Sequence, residues 1–356
     1  MTLRIEKWSL LALARFLLAL IVVFAHVEHM NLAPLGWLGF VPSFGAFEAV
    51  LGFLLISGYS IGSSYRQQPE GFLKRRAWRI YPVYVGAILL TCLLTPPILD
   101  ATFGLTLVEN LLFLNQVATD TSFVGPAWSL ALEFWLYCLT PWLWRAKTTH
   151  LRIAIYASFA GFCCYELSRS AFHLPYYAGT AFGINLPLLS WAWLAGLLIA
   201  REPALARRTL RDCGLIFLAH LSFAFAIQAI HRWKHAELGA ILSEDVILFV
   251  ERAITLGCVL LLFKWIVEGR SGTTRSNTMR LLGDISYPLY LVHVAILMFV
   301  ASRGVRIALV QVAAALVVSF LFYLFIDYYS RTRERRSRVP RGGLINPTRS
   351  VNPLRR

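Results

Sequence analysis

The sequence predicts an all-α polytopic membrane protein with about ten transmembrane helices and both termini in the cytoplasm. Three observations lead to this fold class: the composition, a series of long apolar stretches, and the placement of the basic residues. Hydrophobic residues make up 58% of the 356 residues and charged residues 15%, whereas soluble domains average about 25% charged residues. So few polar side chains cannot cover a water-exposed surface, and we exclude a soluble globular protein.

About ten stretches of the chain are mostly uncharged and reach the length of roughly 17 to 25 residues that crosses a bilayer. They lie near residues 8–28, 44–63, 80–97, 128–144, 153–171, 184–200, 213–230, 246–266, 285–302 and 307–329. The first stretch follows Arg4 and Lys7, as the core of a signal peptide would, but it contains Arg15 and lacks a small-residue cleavage site. We interpret it as an uncleaved spanning helix.

The basic residues predict the orientation of these spans, because cytoplasmic loops retain Lys and Arg. With the N-terminus inside, the termini and alternate loops expected in the cytoplasm hold 27 of the 34 Lys and Arg residues. This asymmetry favours an even number of spans in an inner (plasma) membrane. It also explains the net charge of +15 without nucleic acid, since a nucleic-acid binder would gather its basic residues on one face.

The chain divides into a membrane domain, residues 1–330, and a basic tail, residues 331–356. The tail contains nine arginines together with several Pro and Gly residues, so we expect it to be disordered and to lie against anionic membrane lipid. All six cysteines fall in apolar stretches without CxxC spacing. We therefore expect neither a disulfide framework nor a bound metal.

Arg15 and His26 are two polar residues within the first span, where an ionisable side chain needs a partner or a function. They are 11 residues apart, which in an α-helix places them about 16 Å apart along the axis and about 20° apart around it. The two side chains therefore share one face of the helix. A lone histidine near a helix end is usually interfacial, but the arginine on the same face favours a functional site.

Arg76 and Arg79 lie at the inner end of the third span, at the i, i+3 spacing that makes them neighbours on a helix. Their guanidinium groups suit the oxygen atoms of a phosphate. The alternative is that they are ordinary cytoplasmic loop charges that fix topology, and the spacing alone does not decide between the two.

The fourth span opens from the outer side at Gly125-Pro126 and places Ser129 and Glu133 on one face, at i, i+4. A carboxylate one to two turns into the membrane needs a cation, a hydrogen-bond network or a proton. Glu133 is therefore a candidate site residue, with a role in helix packing as the alternative.

The ninth span opens with Ser286, Tyr290 and His293 along one stripe, at i, i+4 and i+7. We expect Ser286 to cap this helix, with Pro288 in the first turn. His293 then lies within the span, where a histidine is expected to line a cavity.

Five segments, around Arg15–His26, Gly52–Ile61, Arg76–Pro82, Trp128–Glu133 and Ile285–His293, together resemble the membrane-bound acyltransferase-3 family. They occur in the family's order and cover the chain up to the tail. The resemblance implies about ten spans. It also implies transfer of an acyl group, usually acetyl, from cytoplasmic acyl-CoA to a hydroxyl of an envelope or exported glycan, without a metal.

The resemblance also assigns roles to residues. It makes His26 the essential histidine and Arg15 its partner, and it places the paired arginines near the phosphates of coenzyme A. Glu133 is then a candidate to hold a ring nitrogen of His26, which acts either as a base or as a covalent acyl carrier. The expected residues are His26, Arg15 and Glu133 for catalysis, Arg76 and Arg79 for the donor, and Trp128, Ser129, Tyr290 and His293 for substrate binding.

Two other classes of membrane protein are consistent with this composition. In a transporter or flippase, Arg15, Glu133 and His293 would form a proton relay or a substrate cavity. The two halves of the sequence show no convincing repeat, and paired arginines at a cytoplasmic mouth suit a nucleotide-like ligand better. A purely structural membrane scaffold would leave the shared face of Arg15 and His26 without an explanation.

Overall fold

The computed structural model describes residues 5–97, 99–175 and 182–329. These residues form helices and connecting loops, with two isolated β-bridges and no strand among them. The all-α fold class is thus confirmed. The basic tail predicted at residues 331–356 lies outside the described residues.

The described residues include ten helices of at least 15 residues, one for each predicted apolar stretch. They are α1 (Lys7–His29), α2 (Ala46–Gln67), α3 (Phe72–Leu94), α4 (Ala127–Arg145), α5 (Thr148–Phe172), α6 (Asn185–Arg201), α7 (Ala206–Lys234), α8 (Val246–Val267), α9 (Asn277–Ser302) and α10 (Ala308–Phe322). Shorter helical segments are Gly36–Gly39, Phe40–Ser43, Phe103–Leu111, Pro203–Leu205 and Leu238–Ala240, with π-helical turns at Ile241–Asp245 and Tyr323–Asp327.

Seven of these helices, within the described residues, are long and apolar enough to cross a membrane. The other three are α4, α5 and α6. Helix α6 has 17 residues and is continuously buried from Leu188 to Ala200. The protein is therefore a multi-pass membrane protein, and the count of ten crossings stays a prediction.

Close contacts between small residues fix the direction in which neighbouring helices run. Helix α2 packs along α6, where a Cβ added to Gly58 would overlap the carbonyl oxygen of Trp193 and one added to Gly196 would overlap that of Leu55. Small residues allow backbones to approach this closely within a membrane. Gly62 lies beside Ala200, so residue numbers rise together and the two helices are parallel.

Helix α1 packs along α9 in the same parallel sense. Ser9 Oγ accepts a hydrogen bond of 3.2 Å from the Ser276 backbone N–H, and a Cβ at Gly283 would overlap Ala12. Helices α1 and α9 are the first and ninth predicted crossings, and α2 and α6 are the second and sixth. Both parallel pairs agree with a chain that crosses the membrane in alternating directions.

Four helices, α3, α5, α7 and α9, begin five or more residues earlier than the sequence predicted. Helix α3 begins at Phe72 rather than near residue 80, so the basic segment before the apolar stretch is helical. Helix α9 begins at Asn277, and the side chain that caps it is Ser276, which accepts from the Met279 backbone N–H. The expected cap at Ser286 is therefore wrong.

Ser286 instead lies inside α9, where its hydroxyl donates to the Gly283 carbonyl oxygen at 2.7 Å. Pro288 is also interior rather than in the first turn. A proline is tolerated there because neighbouring helices and Ser side chains satisfy backbone groups in a membrane protein. Ser286 is therefore a buried residue inside α9 and not its first residue.

Replacing Gly196 with alanine should force α2 and α6 apart, because the added methyl group meets the backbone of Leu55. Overpacking of this kind costs about 1–3 kcal/mol, so the melting temperature in detergent should fall. Gly257→Ala is the matched control, since a Cβ at this α8 position meets nothing within 4 Å. Equal melting temperatures for the two variants would contradict the close α2–α6 packing.

Candidate active site

One cavity of about 350 Å³ lies between α1, α2, α3, α4 and α9. It extends from Trp8 and Gln67, at the predicted cytoplasmic end of the bundle, to Ser129 and Tyr290 further along. Its size falls within the range of small-molecule sites. The charged and polar side chains that line it are Arg15, Ser57, Ser60, Ser64, Gln67, Arg76, Arg79, Ser129, Glu133, Tyr137, Ser286, Tyr287 and Tyr290.

Three arginines give the cavity its positive charge. Arg15 comes from α1, and Arg76 and Arg79 come from the first two turns of α3. Arg15 donates a hydrogen bond of 2.6 Å to Ser60 Oγ on α2. The Nε atom of Arg76 is buried and has no hydrogen-bond partner among the described residues, which leaves a donor for a ligand.

Glu133 on α4 is the acidic residue among the lining side chains of this cavity. Its Oε2 atom accepts a hydrogen bond of 2.6 Å from the hydroxyl of Tyr137, one turn later, and Ser57 Oγ lies 3.0 Å from the same hydroxyl. The structure thus engages Glu133 in a hydrogen-bond network with two hydroxyl groups. The expected contact between Glu133 and a ring nitrogen of His26 is not among its hydrogen bonds.

Ser129 and Tyr290 close the cavity at its far end. Their hydroxyl oxygen atoms are 2.8 Å apart, and the ring of Phe53 lies against Tyr290 with centroids 5.5 Å apart. Tyr290 precedes His293 by three residues, or about 4.5 Å along α9. The cavity therefore ends about one helical turn from this histidine.

His26 and His293 form a pair just beyond the end of the cavity. His26 Nδ1 lies 3.3 Å from His293 Nε2, and the two rings meet edge to face with centroids 4.9 Å apart. His293 is fully buried, with 0% of its surface exposed, whereas His26 is partly exposed. Neither histidine is among the residues that line the cavity.

The structure thus brings six of the nine expected site residues around one cavity and the two histidines next to it. Trp128 is partly buried against the hydrophobic core and lies outside the cavity lining. All six cysteines are free. Within the described part of the chain, no cluster of three or more His, Cys, Asp and Glu side chains is arranged to hold a metal ion.

A family model described as an acyltransferase domain, the acyltransferase-3 model, matches residues 10–328. The chain belongs to the acyltransferase-3 family. It is therefore an enzyme, an acyltransferase that moves a group other than an aminoacyl group from a donor to an acceptor. This result favours the enzyme over the transporter and the scaffold.

One relative of this acyltransferase is a viral protein named "Putative acetyltransferase ORF330", from Acidianus two-tailed virus. The two sequences are 25% identical over 315 residues, which cover 85% of this chain and 86% of the viral protein. No solved structure matches the chain.

Several lining residues of the acyltransferase were not among the nine expected site residues, although Ser57 and Ser60 lie in the Gly52–Ile61 segment and Tyr287 in the Ile285–His293 segment. Ser57, Ser60 and Ser64 lie on α2 at the i, i+3, i+7 spacing that marks one helix face. A stripe of hydroxyl groups within an apolar helix was the signal that could have found them. Tyr137 and Tyr287 carry no such pattern, because tyrosine is common at helix interfaces of any function.

Proposed function

We propose that the protein is a membrane O-acyltransferase. It moves an acyl group, which we expect to be acetyl, from cytoplasmic acyl-CoA to a hydroxyl of a cell-surface or exported polysaccharide or its lipid-linked precursor. It acts in the inner membrane. The observation that supports this proposal most strongly is a single cavity that contains three arginines and ends about one turn from a histidine pair.

The donor binds at the end of the cavity that holds Arg76 and Arg79. Both side chains belong to the beginning of α3, at the end of the bundle that the positive loops predict to face the cytoplasm. Phosphate oxygens accept charge-assisted hydrogen bonds from guanidinium groups, and the buried Nε atom of Arg76 lacks an acceptor in the described residues. The phosphates of acyl-CoA supply such acceptors.

The acyl arm of the donor extends along α1, past Arg15. Arg15 is about 12 Å from the start of this helix, and His26 is about 16 Å further on. Ser57 and Ser60 provide hydroxyl groups beside this route, and the thioester reaches Ser129 and Tyr290 at the far end. Tyr290 lines the cavity next to His293, so the acyl group has to pass this side chain to reach His26.

His26 acts as the base in the transfer step. Its imidazole takes the proton of the acceptor hydroxyl while the oxygen forms a bond to the thioester carbonyl carbon. The carbon–sulfur bond then breaks, and the departing thiolate takes the proton from His26. The products are the acyl ester of the glycan and coenzyme A, and the histidine returns to its neutral state.

Substituting both Arg76 and Arg79 with alanine should weaken acyl-CoA binding. Each lost charge-assisted interaction costs about 1.5–3 kcal/mol, so the dissociation constant should rise at least about 100-fold. Calorimetric titration of acetyl-CoA into the detergent-solubilised protein measures this dissociation constant. The matched control is the double variant Arg207→Ala with Arg208→Ala, which removes two exposed arginines at the start of α7. Unchanged affinity for acetyl-CoA in the Arg76 and Arg79 double variant would mean that these arginines only set the orientation of the span in the membrane.

Substituting His26 with alanine should reduce acyl transfer at least about 100-fold, since a general base contributes about 10² to 10⁴ to the rate. Mass spectrometry of surface polysaccharide from cells that carry either form reads out the acyl group directly. His29→Ala is the matched control, because His29 is exposed and three residues further along the same helix. Full acylation by correctly inserted His26→Ala protein would overturn the role of His26.

A further inference from the structure

The pairing of His26 with His293 defines which ring nitrogen of each histidine carries a proton. A backbone carbonyl oxygen can only accept a hydrogen bond, so a ring nitrogen that contacts it must be the protonated one. Both histidines make such a contact with the carbonyl one turn earlier in their own helices: Val22 for His26 and Leu289 for His293.

His293 is the acceptor of the pair. Its Nδ1 atom lies 3.0 Å from the Leu289 carbonyl oxygen and therefore carries the proton. The side chain is fully buried and has no ion pair with a carboxylate among the described residues, so the neutral form is favoured. A neutral imidazole has one N–H group, which leaves Nε2 of His293 as a hydrogen-bond acceptor.

His26 is the donor of the pair. Its Nδ1 atom lies 2.9 Å from the Val22 carbonyl oxygen and 3.3 Å from His293 Nε2, and both of these atoms are acceptors. One Nδ1–H group therefore serves both neighbours. The Nε2 atom of His26 is left unprotonated, and it has no hydrogen-bond partner in the described part of the chain.

We infer that His293 is a positioning residue that, together with the Val22 carbonyl oxygen, holds His26 in the Nδ1–H tautomer, with Nε2 free to take the proton of the acceptor. This inference rests on the proposed function, in which His26 is the base. When His26 becomes charged during transfer, His293 Nε2 accepts a stronger, charge-assisted hydrogen bond from Nδ1–H. It thus performs with a neutral ring the task that a carboxylate performs in a catalytic triad.

The hydrogen bonds of Glu133 leave this task to His293. The carboxylate accepts from the Tyr137 hydroxyl, and its network continues to Ser57 within the cavity. His293, in contrast, lies on α9 at the same distance after Ser276 as His26 lies after Ser9 on α1, and Ser9 and Ser276 are themselves in contact. The parallel register of the two helices thus brings the histidines to the same level.

Two substitutions of His293 separate positioning from packing. His293→Leu replaces the ring with an apolar side chain of similar volume and so removes the acceptor atom Nε2. His293→Gln places an acceptor oxygen near the position of Nε2. We expect His293→Leu to lower kcat about 10- to 100-fold, as the loss of a supporting contact commonly does, and His293→Gln to restore most of it. The KM for acetyl-CoA should be unchanged in both, because His293 lies outside the cavity lining.

Transfer from [14C]acetyl-CoA to the glycan fraction of membranes from the expressing cells supplies kcat and KM. The matched control is His220→Leu, which removes another buried histidine, bonded to Glu48 and away from the cavity, and should leave kcat unchanged. Nitrogen-15 NMR of the histidine-labelled wild-type protein reads the tautomer directly. We expect His26 to show a protonated Nδ1 and an unprotonated Nε2.

The outcomes distinguish this inference from the proposed function. The positioning role of His293 would be overturned by full kcat for His293→Leu or by a protonated Nε2 on His26 in the wild-type protein. In either case, an inactive His26→Ala variant would still support the proposed function. An active His26→Ala variant would instead overturn the proposed function. The NMR measurement needs no substitution, so a protonated Nε2 on His26 would overturn the inference even if the His293 variants fold poorly.

Discussion

The parallel packing of α1 on α9 is the constraint on which the rest of this site depends. The Glu6–Arg280 ion pair, at 2.8 Å, and the contact between Ser9 and Ser276 fix the two helices at one end, and Gly283 lets the backbones approach at Ala12. From this register His26 meets His293 at the other end, and Arg15 turns towards Ser60 on α2. A slip of one residue would rotate each side chain about 100° around the helix axis and separate both pairs.

The site divides into a charged cavity and a histidine pair, and this division follows from the cost of charge inside a membrane. Arginines are tolerated at intermediate depth where they line a polar cavity and reach hydroxyl groups, as Arg15 does with Ser60. The histidines lie further along, in a region where a neutral ring costs less than a carboxylate. Tyr290 lies next to both parts, with its hydroxyl bonded to Ser129 and its ring 6.2 Å from that of His293, centroid to centroid.

Much of the fold follows from the sequence, because a bilayer demands long apolar helices and the positions of all ten could be read from hydropathy. The sequence also supplied the arginines, Glu133 and the histidines, since ionisable residues within spans are rare and conspicuous. It could not show which of these side chains are in contact with one another. The His26–His293 and Arg15–Ser60 contacts each join two different helices, so they depend on the rotation and register of those helices. Close approaches at small residues such as Gly283 and Gly58 accompany this packing. The early start of α9 was missed for a similar reason, because the cap at Ser276 precedes the apolar stretch.

The central claim, that the arginine-lined cavity receives the acyl donor and delivers its acyl group to His26, is tested most directly by a cryo-electron microscopy structure with a thioether analogue of acetyl-CoA. We expect density for the phosphates against Arg76 and Arg79, and density for the acyl end beside Ser129 and Tyr290, within one helical turn of His293. Analogue bound elsewhere on the protein, or phosphates at the opposite end of the cavity from Arg76 and Arg79, would contradict the claim.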